Sequence, residues 1–348
     1  MNNFNINLLP RKLLGDVNAG YGVEKKNNVT YIHFYNDEQK DFYFNFHFLI
    51  FDETVYYADY FTNENITDKI MNLSSNVNKN FNYIIENNLY TNINIDKALI
   101  IFVHTKSPGH ELAFLTNAIY IYHYYNLHDF KIVISDKIFE LGKQLISILY
   151  LFFDKSNIII VNNFTKININ ETYNFFRYSS KMNEPINFLL NKLSMVTIEP
   201  SLCLNYENIC LIKTEFKNKT FNSSNRSFSN NYNLFFKNNG FDIIIVEDLE
   251  IIELYYLIKK SKNIVLSWGA NSWCNSTFVN TSHNLITLCH IGYKTEYETF
   301  KNIENIEKNY SQWTPICNKN ILIYDLDTEL TKDTEILLEI KLEELKTI

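Results

Sequence analysis

The sequence predicts an α/β protein built from two successive Rossmann-like lobes facing a cleft, with an extra β segment at its amino-terminal end. Three observations predict it. The runs KALIIFVH, DFKIVIS and NIIIVNN are continuous and apolar, as in parallel strands buried on both faces, and helical stretches separate them. The same alternation returns after Pro200 in NICLIKTEF, DIIIVEDL, NIVLSWG and NLITLCHIG. At 348 residues the chain is too long for one ordinary core and suits two domains. Strand, helix, strand order implies right-handed crossovers and parallel sheets. Ligands in such sheets bind at the carboxyl ends of the strands.

Each element follows from its pattern. VTYIHFYN, DFYFNFHFLIF and ETVYYADYF, within 29–60, are aromatic and β-branched with polar breaks, and read as antiparallel strands ahead of the first lobe. The first lobe then has a strand at 97–104, a helix from Glu111 to Tyr125, a strand at 129–135, a helix at 137–153 and a strand at 157–163. Leu141, Leu145, Ile148 and Phe152 give the second helix its apolar face. Residues 164–200 read as a crossover containing the helix EPINFLLNKL. The second lobe opens with the strand NICLIKTEF and a polar loop at 217–230. A short helix follows from Asn230 to Asn239, and Gly240 stops it at C′. Then come a strand at 242–249, the helix EIIELYYLIKKSK, a strand at 263–269, the short helix ANSWCNSTFV and the strand NLITLCHIG. After the late strand ILIYDLD, an amphipathic helix from Thr331 to Ile348 is expected to pack back on the first lobe. The expected domains are 1–195, 196–330 and this 331–348 helix.

Composition excludes several classes. A net charge of −7 provides no basic field for nucleic acid. Asparagine is interleaved with apolar residues and reads as codon bias, not a prion-like tract. Cys203, Cys210, Cys274, Cys289 and Cys317 form no C-x-x-C pair, so free thiols in a reducing, cytoplasmic setting are expected. No run approaches the ~20 apolar residues of a membrane span, and the amino-terminal end has no secretory pattern. There is no Walker loop, G-x-G-x-x-G or G-x-S-x-G.

The stretch from Asn208 to Gly292 resembles glycosyltransferase family 61, which includes capsular polysaccharide biosynthesis proteins and extracellular O-GlcNAc transferases. The residues carrying the resemblance are Lys213, Arg226, Asn230, Gly240, Phe241, Glu247, Leu249, Gly269 and Ala270, in family order. Upstream, PGHELAFLTNAIYIY resembles the family's segment opening the first-lobe helix, with His110 in the histidine place. The chain departs from the pattern at Trp268, where the family has His, and at Asn275, which is offset by one residue. The resemblance implies a GT-B type fold and an inverting, metal-independent hexosyl- or pentosyltransferase. It implies a UDP-sugar donor, a glycan or protein acceptor, and no cofactor beyond that donor substrate.

The residues carry their own chemistry. A diphosphate leaving group needs a cation or a helix N-terminus to stabilise its growing charge. Lys213 and Arg226 are candidate cations. In SWGANS, Trp268, Gly269 and Ala270 form a strand-to-helix turn that Asn271 or Ser272 can cap. Glu247 either ends a strand and accepts bonds from ribose or base, or supplies negative charge at the next helix start. His110 and then Glu111 are the candidate general bases, expected to project into the cleft. Asp325-Leu326-Asp327 has metal-site spacing but reads as a turn plus helix cap. The alternative function is a catalytically inactive sugar- or nucleotide-binding protein on the same fold, with Trp268 as a stacking platform. A scaffold that binds no nucleotide is a third reading.

Overall fold

In the computed structural model, the structure describes residues 6–8, 23–35, 45–57, 85–86, 90–103, 108–175, 183–197, 206–212, 228–267, 277–291 and 317–346. The chain is a mixed α/β protein that divides into two compact units. The first is Met1–Lys106, His110–Leu141 and Leu149–Pro185, and the second is Ser107–Gly109, Gly142–Ile148 and Ile186–Ile348.

Among the described residues the first unit holds one 8-stranded sheet. Its strands are β1 (Ile6–Leu8), β2 (Val23–Tyr35), β3 (Asn45–Phe51), β4 (Thr54–Tyr57), β5 (Thr91–Ile101), β6 (Lys131–Ser135), β7 (Ile158–Val161) and β8 (Thr165–Phe175). Their order is β1-β4-β3-β2-β8-β5-β6-β7. β2, β3 and β4 pair antiparallel, as the aromatic runs predict. β8, β5, β6 and β7 are parallel. Helix α1 (Pro108–Tyr124) links β5 to β6, and α2 (Lys143–Phe152) lies between β6 and β7.

Two differences from the sequence reading stand out in this unit. The stretch expected as a crossover contains β8, a central strand that joins the antiparallel and parallel halves. Thr165, Ile167 and Ile169 are buried while Asn168 and Asn170 are exposed, an alternation already present in TKININ. Secondly, β7 and β8 are joined by Asn162–Phe164 alone, although β6 and β5 lie between them in the sheet. The sheet is therefore rolled. One cluster on its inner face gathers Tyr31 and Leu49 with Ile100, Phe102, Val133, Val161 and Ile167. Ile32, Phe34, Phe48 and Val55 form a second cluster.

The second unit is a five-stranded parallel sheet among the described residues: β9 (Asn208–Leu211), β10 (Asp242–Ile243), β11 (Asn263–Ser267), β12 (Asn284–His290) and β13 (Lys319–Leu326). The spatial order β10-β9-β11-β12-β13 is the doubly wound 2-1-3-4-5 order. Its helices are α4 (Asn230–Asn238), α5 (Ile251–Lys260) and α6 (Lys332–Lys346), with α3 (Asn183–Ser194) upstream in the chain. Gly240 at φ 84° takes the C′ place after α4. The Gly240 N–H donates to Lys237 O and the Phe241 N–H to Phe236 O, a Schellman closure. On α6, Leu338, Leu342 and Leu345 are buried in the core of this unit with Ile321 and Ile323.

The strand expected at 242–249 stops at Ile243, and Val246–Asp248 is a 3-10 turn. The physical reason is the competition for its carbonyls. Gln144 Nε2 donates to Val246 O at 2.8 Å and Lys143 Nζ to Asp248 O at 3.3 Å, so these oxygens bond to side chains. The Ile251 N–H donates to Ser147 Oγ at 2.9 Å, and Glu253 Oε2 accepts the Glu250 N–H at 2.7 Å. Asp325-Leu326-Asp327 differs too: Asp325 and Leu326 belong to β13, and Thr331 Oγ1 accepts the Thr334 N–H at the start of α6.

The amino-terminal edge of the second sheet is stitched by amides. Asn263 Nδ2 donates to Asn208 Oδ1 (2.7 Å), Asn284 Nδ2 to Asn263 Oδ1 (2.9 Å) and Asn318 Nδ2 to Asn284 Oδ1 (2.8 Å). Each rung ties a strand start to its neighbour, in a region where Asn263 and Asn284 are buried. Replacing Asn284 by Ala strands an amide on both sides. Asn284→Ala is expected to destabilise the protein by about 2–4 kcal/mol, read by urea unfolding, with Asn208→Ala costing less because Asn208 sits at the end of the ladder.

Candidate functional sites on the two carboxyl edges

In the second unit the chain leaves β9, forms α4 and returns to start β10, so the N-terminus of α4 lies at the carboxyl edge of the sheet. Ser229 is its N-cap residue, in an extended conformation with no side-chain cap bond. The Ser229 N–H donates to Thr328 O at 2.8 Å, just beyond the end of β13. Phe228 packs edge-on against the His290 ring at 5.6 Å, and His290 Nε2 lies 2.9 Å from Thr328 Oγ1. Tyr232 donates its hydroxyl to Asp327 O at 3.0 Å. Ser229 is only 9% exposed, and its Oγ has no hydrogen-bond partner among the described residues.

A helix N-terminus presents unpaired N–H groups and a partial positive charge. A buried hydroxyl without a partner costs free energy unless a ligand or water completes it. These two features mark the N-terminus of α4 as a candidate anion site, at the carboxyl edge against the ends of β12 and β13.

The expected nucleotide residues relate to this edge through chain position. Lys213, Arg226, Trp268, Gly269, Ala270, Asn271 and Ser272 lie outside the described residues. Trp268 follows directly on Ser267, the last residue of β11, and Lys213 comes two residues after Leu211, the last of β9. β9 and β11 are neighbours. For Glu247 the description covers the backbone alone, which lies in the 3-10 turn and not at a strand end.

In the first unit, the rolled sheet brings the ends of β5, β6 and β7 against β2 and β3. Tyr31, His33 and Tyr35 share one face of β2, and His47 is the cross-strand partner of His33. Tyr31, His33 and His47 are fully buried. His47 Nε2 lies 3.0 Å from Val103 O and its Nδ1 lies 2.8 Å from the Tyr31 hydroxyl. A carbonyl can only accept, so Nε2 carries the proton. Burial holds the Tyr31 phenol well above its ordinary range, so that hydroxyl keeps its proton and donates to Nδ1. His47 is thus held through both ring nitrogens. His33 stacks on it at 5.1 Å and places Nδ1 3.2 Å from Asn162 O.

Toward the rim, Asn163 Oδ1 accepts the Tyr35 N–H at 2.8 Å while its Nδ2 donates to Tyr35 O at 3.0 Å. The Tyr35 hydroxyl donates to Asp136 Oδ2 at 3.4 Å. Asp136 is the first residue after β6 and is half-buried. Desolvation raises its pKa, and the pull of Lys137 does not cancel that effect. Lys137 is mostly buried: its Nζ sits 4.2 Å above the Tyr35 ring and 2.7 Å from Glu140 Oε1.

Of the two expected bases, His110 lies in the first turn of α1 with its side chain outside the description, and Glu111 is buried at 2% exposure. Sequence reading did not single out Ser229, His290, Thr328 or Asp136. The signal for Ser229 was available, since Ser-Asn-Asn ahead of an aromatic helical face is an N-cap pattern. No group of three or more His, Cys, Asp or Glu residues able to hold a metal occurs among the described residues, and none of their helices is long and apolar enough to cross a membrane.

No protein-family model matches the chain, and no curated protein matches it. Fold and geometry define its class: a mixed α/β protein whose second unit is a doubly wound parallel sheet, with a buried, unpartnered serine hydroxyl at the N-terminus of α4.

Because the folded state holds the Asp136 proton more tightly than the unfolded chain, its ionisation costs stability as pH rises from about 4 through the raised pKa. Asp136→Asn keeps an acceptor for Tyr35 and removes the charge. The variant is expected to melt higher than the parent at pH 7, with the gap closing as pH falls toward 4, read by thermal unfolding across that range.

Proposed function

We propose that this chain is an inverting, metal-independent glycosyltransferase that moves a sugar from a nucleotide donor, a UDP-sugar, to a glycan or protein acceptor. The observation that carries the reading is the N-terminus of α4, with the buried, unpartnered Ser229 hydroxyl, at the carboxyl edge of a 2-1-3-4-5 sheet. Diphosphates bind such edges, and charge growing on a departing diphosphate is what a helix N-terminus stabilises. Arg226, two residues before Phe228 in the sequence, is the candidate cation, and Lys213 and Trp268–Ser272 are the further candidates, which follow β9 and β11 in the chain. A GT-B type pairing of the units and a cytoplasmic setting belong to the same proposal. Cys210, Cys289 and Cys317 are free thiols, and burial pushes Cys210 and Cys289 up to about 12.

In an inverting step the acceptor hydroxyl attacks the anomeric carbon, its proton passes to a base, and the bond to the diphosphate breaks. Asp136 is suited to the base role. It stands at the end of a parallel strand, it is partly open to solvent, and its raised pKa makes it a better proton acceptor than an ordinary aspartate. His110 remains the other candidate in this unit.

The test is release of nucleotide from a panel of nucleotide sugars in EDTA, alongside thermal shifts with UDP. UDP is expected to raise the melting temperature, and Ser229→Ala and Arg226→Ala each to weaken UDP binding about tenfold or more, as loss of a hydrogen bond to a charged group predicts. Donor turnover is expected to fall on the acid side as Asp136 takes up its proton and to be lost in Asp136→Asn, with UDP binding kept. Stabilisation by UDP without any turnover favours the inactive nucleotide-binding alternative. Absence of both rejects the nucleotide-sugar reading.

A further inference from the structure

A ribbon of aromatic rings in the first unit is not used by either carboxyl edge. Tyr120 and Tyr124, one turn apart on α1, stack at 5.4 Å. Tyr124 meets Tyr125 edge-on at 5.1 Å, and Tyr125 meets Tyr173 of β8 at 5.5 Å. Tyr124 is 67% exposed and Tyr125 38%. The turn that carries them is rigid. Asn126 takes φ 53°, its N–H donates to His123 O, and the Leu127 N–H donates to Tyr122 O, which is a Schellman closure seated by buried Leu127.

Carboxylates flank the ribbon. The Tyr120 hydroxyl donates to Glu184 Oε2 at 3.1 Å. At the other end Tyr173 packs on Phe130 at 5.6 Å, beside Asp129, which bonds Lys97 Nζ at 2.5 Å. Burial and Glu184 hold the Tyr120 phenol up at about 12, so it stays a neutral hydroxyl at any physiological pH.

We infer that this tyrosine ribbon is a binding surface for a neutral glycan chain. An exposed ring offers a flat apolar face with a polar rim, which matches a pyranose ring with its C–H face and its equatorial hydroxyls. Successive rings in contact suit a chain of sugars better than a single one. Carboxylates at the ends accept hydrogen bonds from sugar hydroxyls, and tyrosine gives up little side-chain entropy on contact. Nucleic acid, the other ligand that stacks on aromatic rings, needs an excess of cations around them, and here Glu184 flanks one end while Lys97 at the other is paired with Asp129. An exposed cluster of this kind earns no folding stability from its outward faces.

The test of this surface needs no nucleotide. Affinity gel electrophoresis is run in soluble starch, xylan, galactomannan and dextran, with the full chain and Tyr124→Ala/Tyr125→Ala. The parent is expected to be retarded by at least one polysaccharide, and the double variant to bind it about tenfold more weakly, while Tyr124→Phe keeps binding because the ring face is unchanged. Circular dichroism is expected to match between parent and double variant, and thermal melting to drop only by the loss of the Tyr124–Tyr125 and Tyr125–Tyr173 ring contacts. No retardation in any of the four polymers overturns the inference. Retardation that the double variant retains also overturns it. So does a dimer that the double variant dissociates without any polysaccharide binding, because the ribbon is then a contact between copies of the chain.

Discussion

Three residues, Asn162–Phe164, impose the shape of the first sheet. β7 ends level with Ser135, and β6 is level with the end of β5, whereas β8 begins level with Thr91 at the other end of β5. In a flat sheet the link would run back along all 11 residues of β5, about 35 Å, and sideways across two strands as well. A link this short reaches about 14 Å at full extension. The sheet has to roll until the end of β7 meets the start of β8. The link is fixed by its own bonds: Asn163 clasps both backbone groups of Tyr35, Phe164 adopts φ 58°, and Phe164 O accepts the Thr91 N–H. A bulky residue in the left-handed region is costly, and these bonds over-determine it.

The roll makes the polar cluster of the first unit possible. It turns the carbonyls of Val103 and Asn162, at the ends of two parallel strands, onto the imidazoles of His47 and His33 from two antiparallel ones. Asn162 O also accepts the Thr165 hydroxyl at 2.7 Å, so the end of β7 is tied both to β8 and to β2. The second unit uses a different division of labour. Its amino edge is closed by the Asn208–Asn263–Asn284–Asn318 ladder, which fixes register, and its carboxyl edge carries the open hydroxyl of Ser229. The satisfied amides and the unpartnered hydroxyl therefore sit at opposite ends of the same sheet.

The strands were the legible part of the sequence. Apolar runs marked β5, β6, β7, β9, β11 and β12, because burial on both faces leaves a continuous signal. β8 was hidden for a local reason: Asn, Lys and Glu make up close to half of its residues, Asn168 and Asn170 among them exposed, so the polar count outweighed the alternation. The abundance of asparagine did not point to the ladder, whose members are set by register and invisible without strand pairing. The Tyr31–His33–His47 cluster was beyond sequence reasoning, since it depends on the roll. Of the expected nucleotide residues, the sequence located the ends of β9 and β11 and so the crevice side, while Ser229 went unremarked inside a loop-to-helix transition.

The contrast between Glu111 and Asp136 gives the last step. Both are acidic residues close behind the end of a parallel strand. Glu111 is sealed in the first turn of a helix whose other residues are almost all buried, where its environment is set by packing. Asp136 sits at the rim, desolvated enough to raise its pKa and open enough to exchange a proton. Lys137 is the obvious group to neutralise it, but that ammonium is committed to Glu140 and to the Tyr35 ring. The fold thus keeps Asp136 weakly compensated while compensating its neighbour. A protein selected for stability alone gains nothing from that arrangement, because a partly desolvated, underpaired carboxylate is a cost at neutral pH.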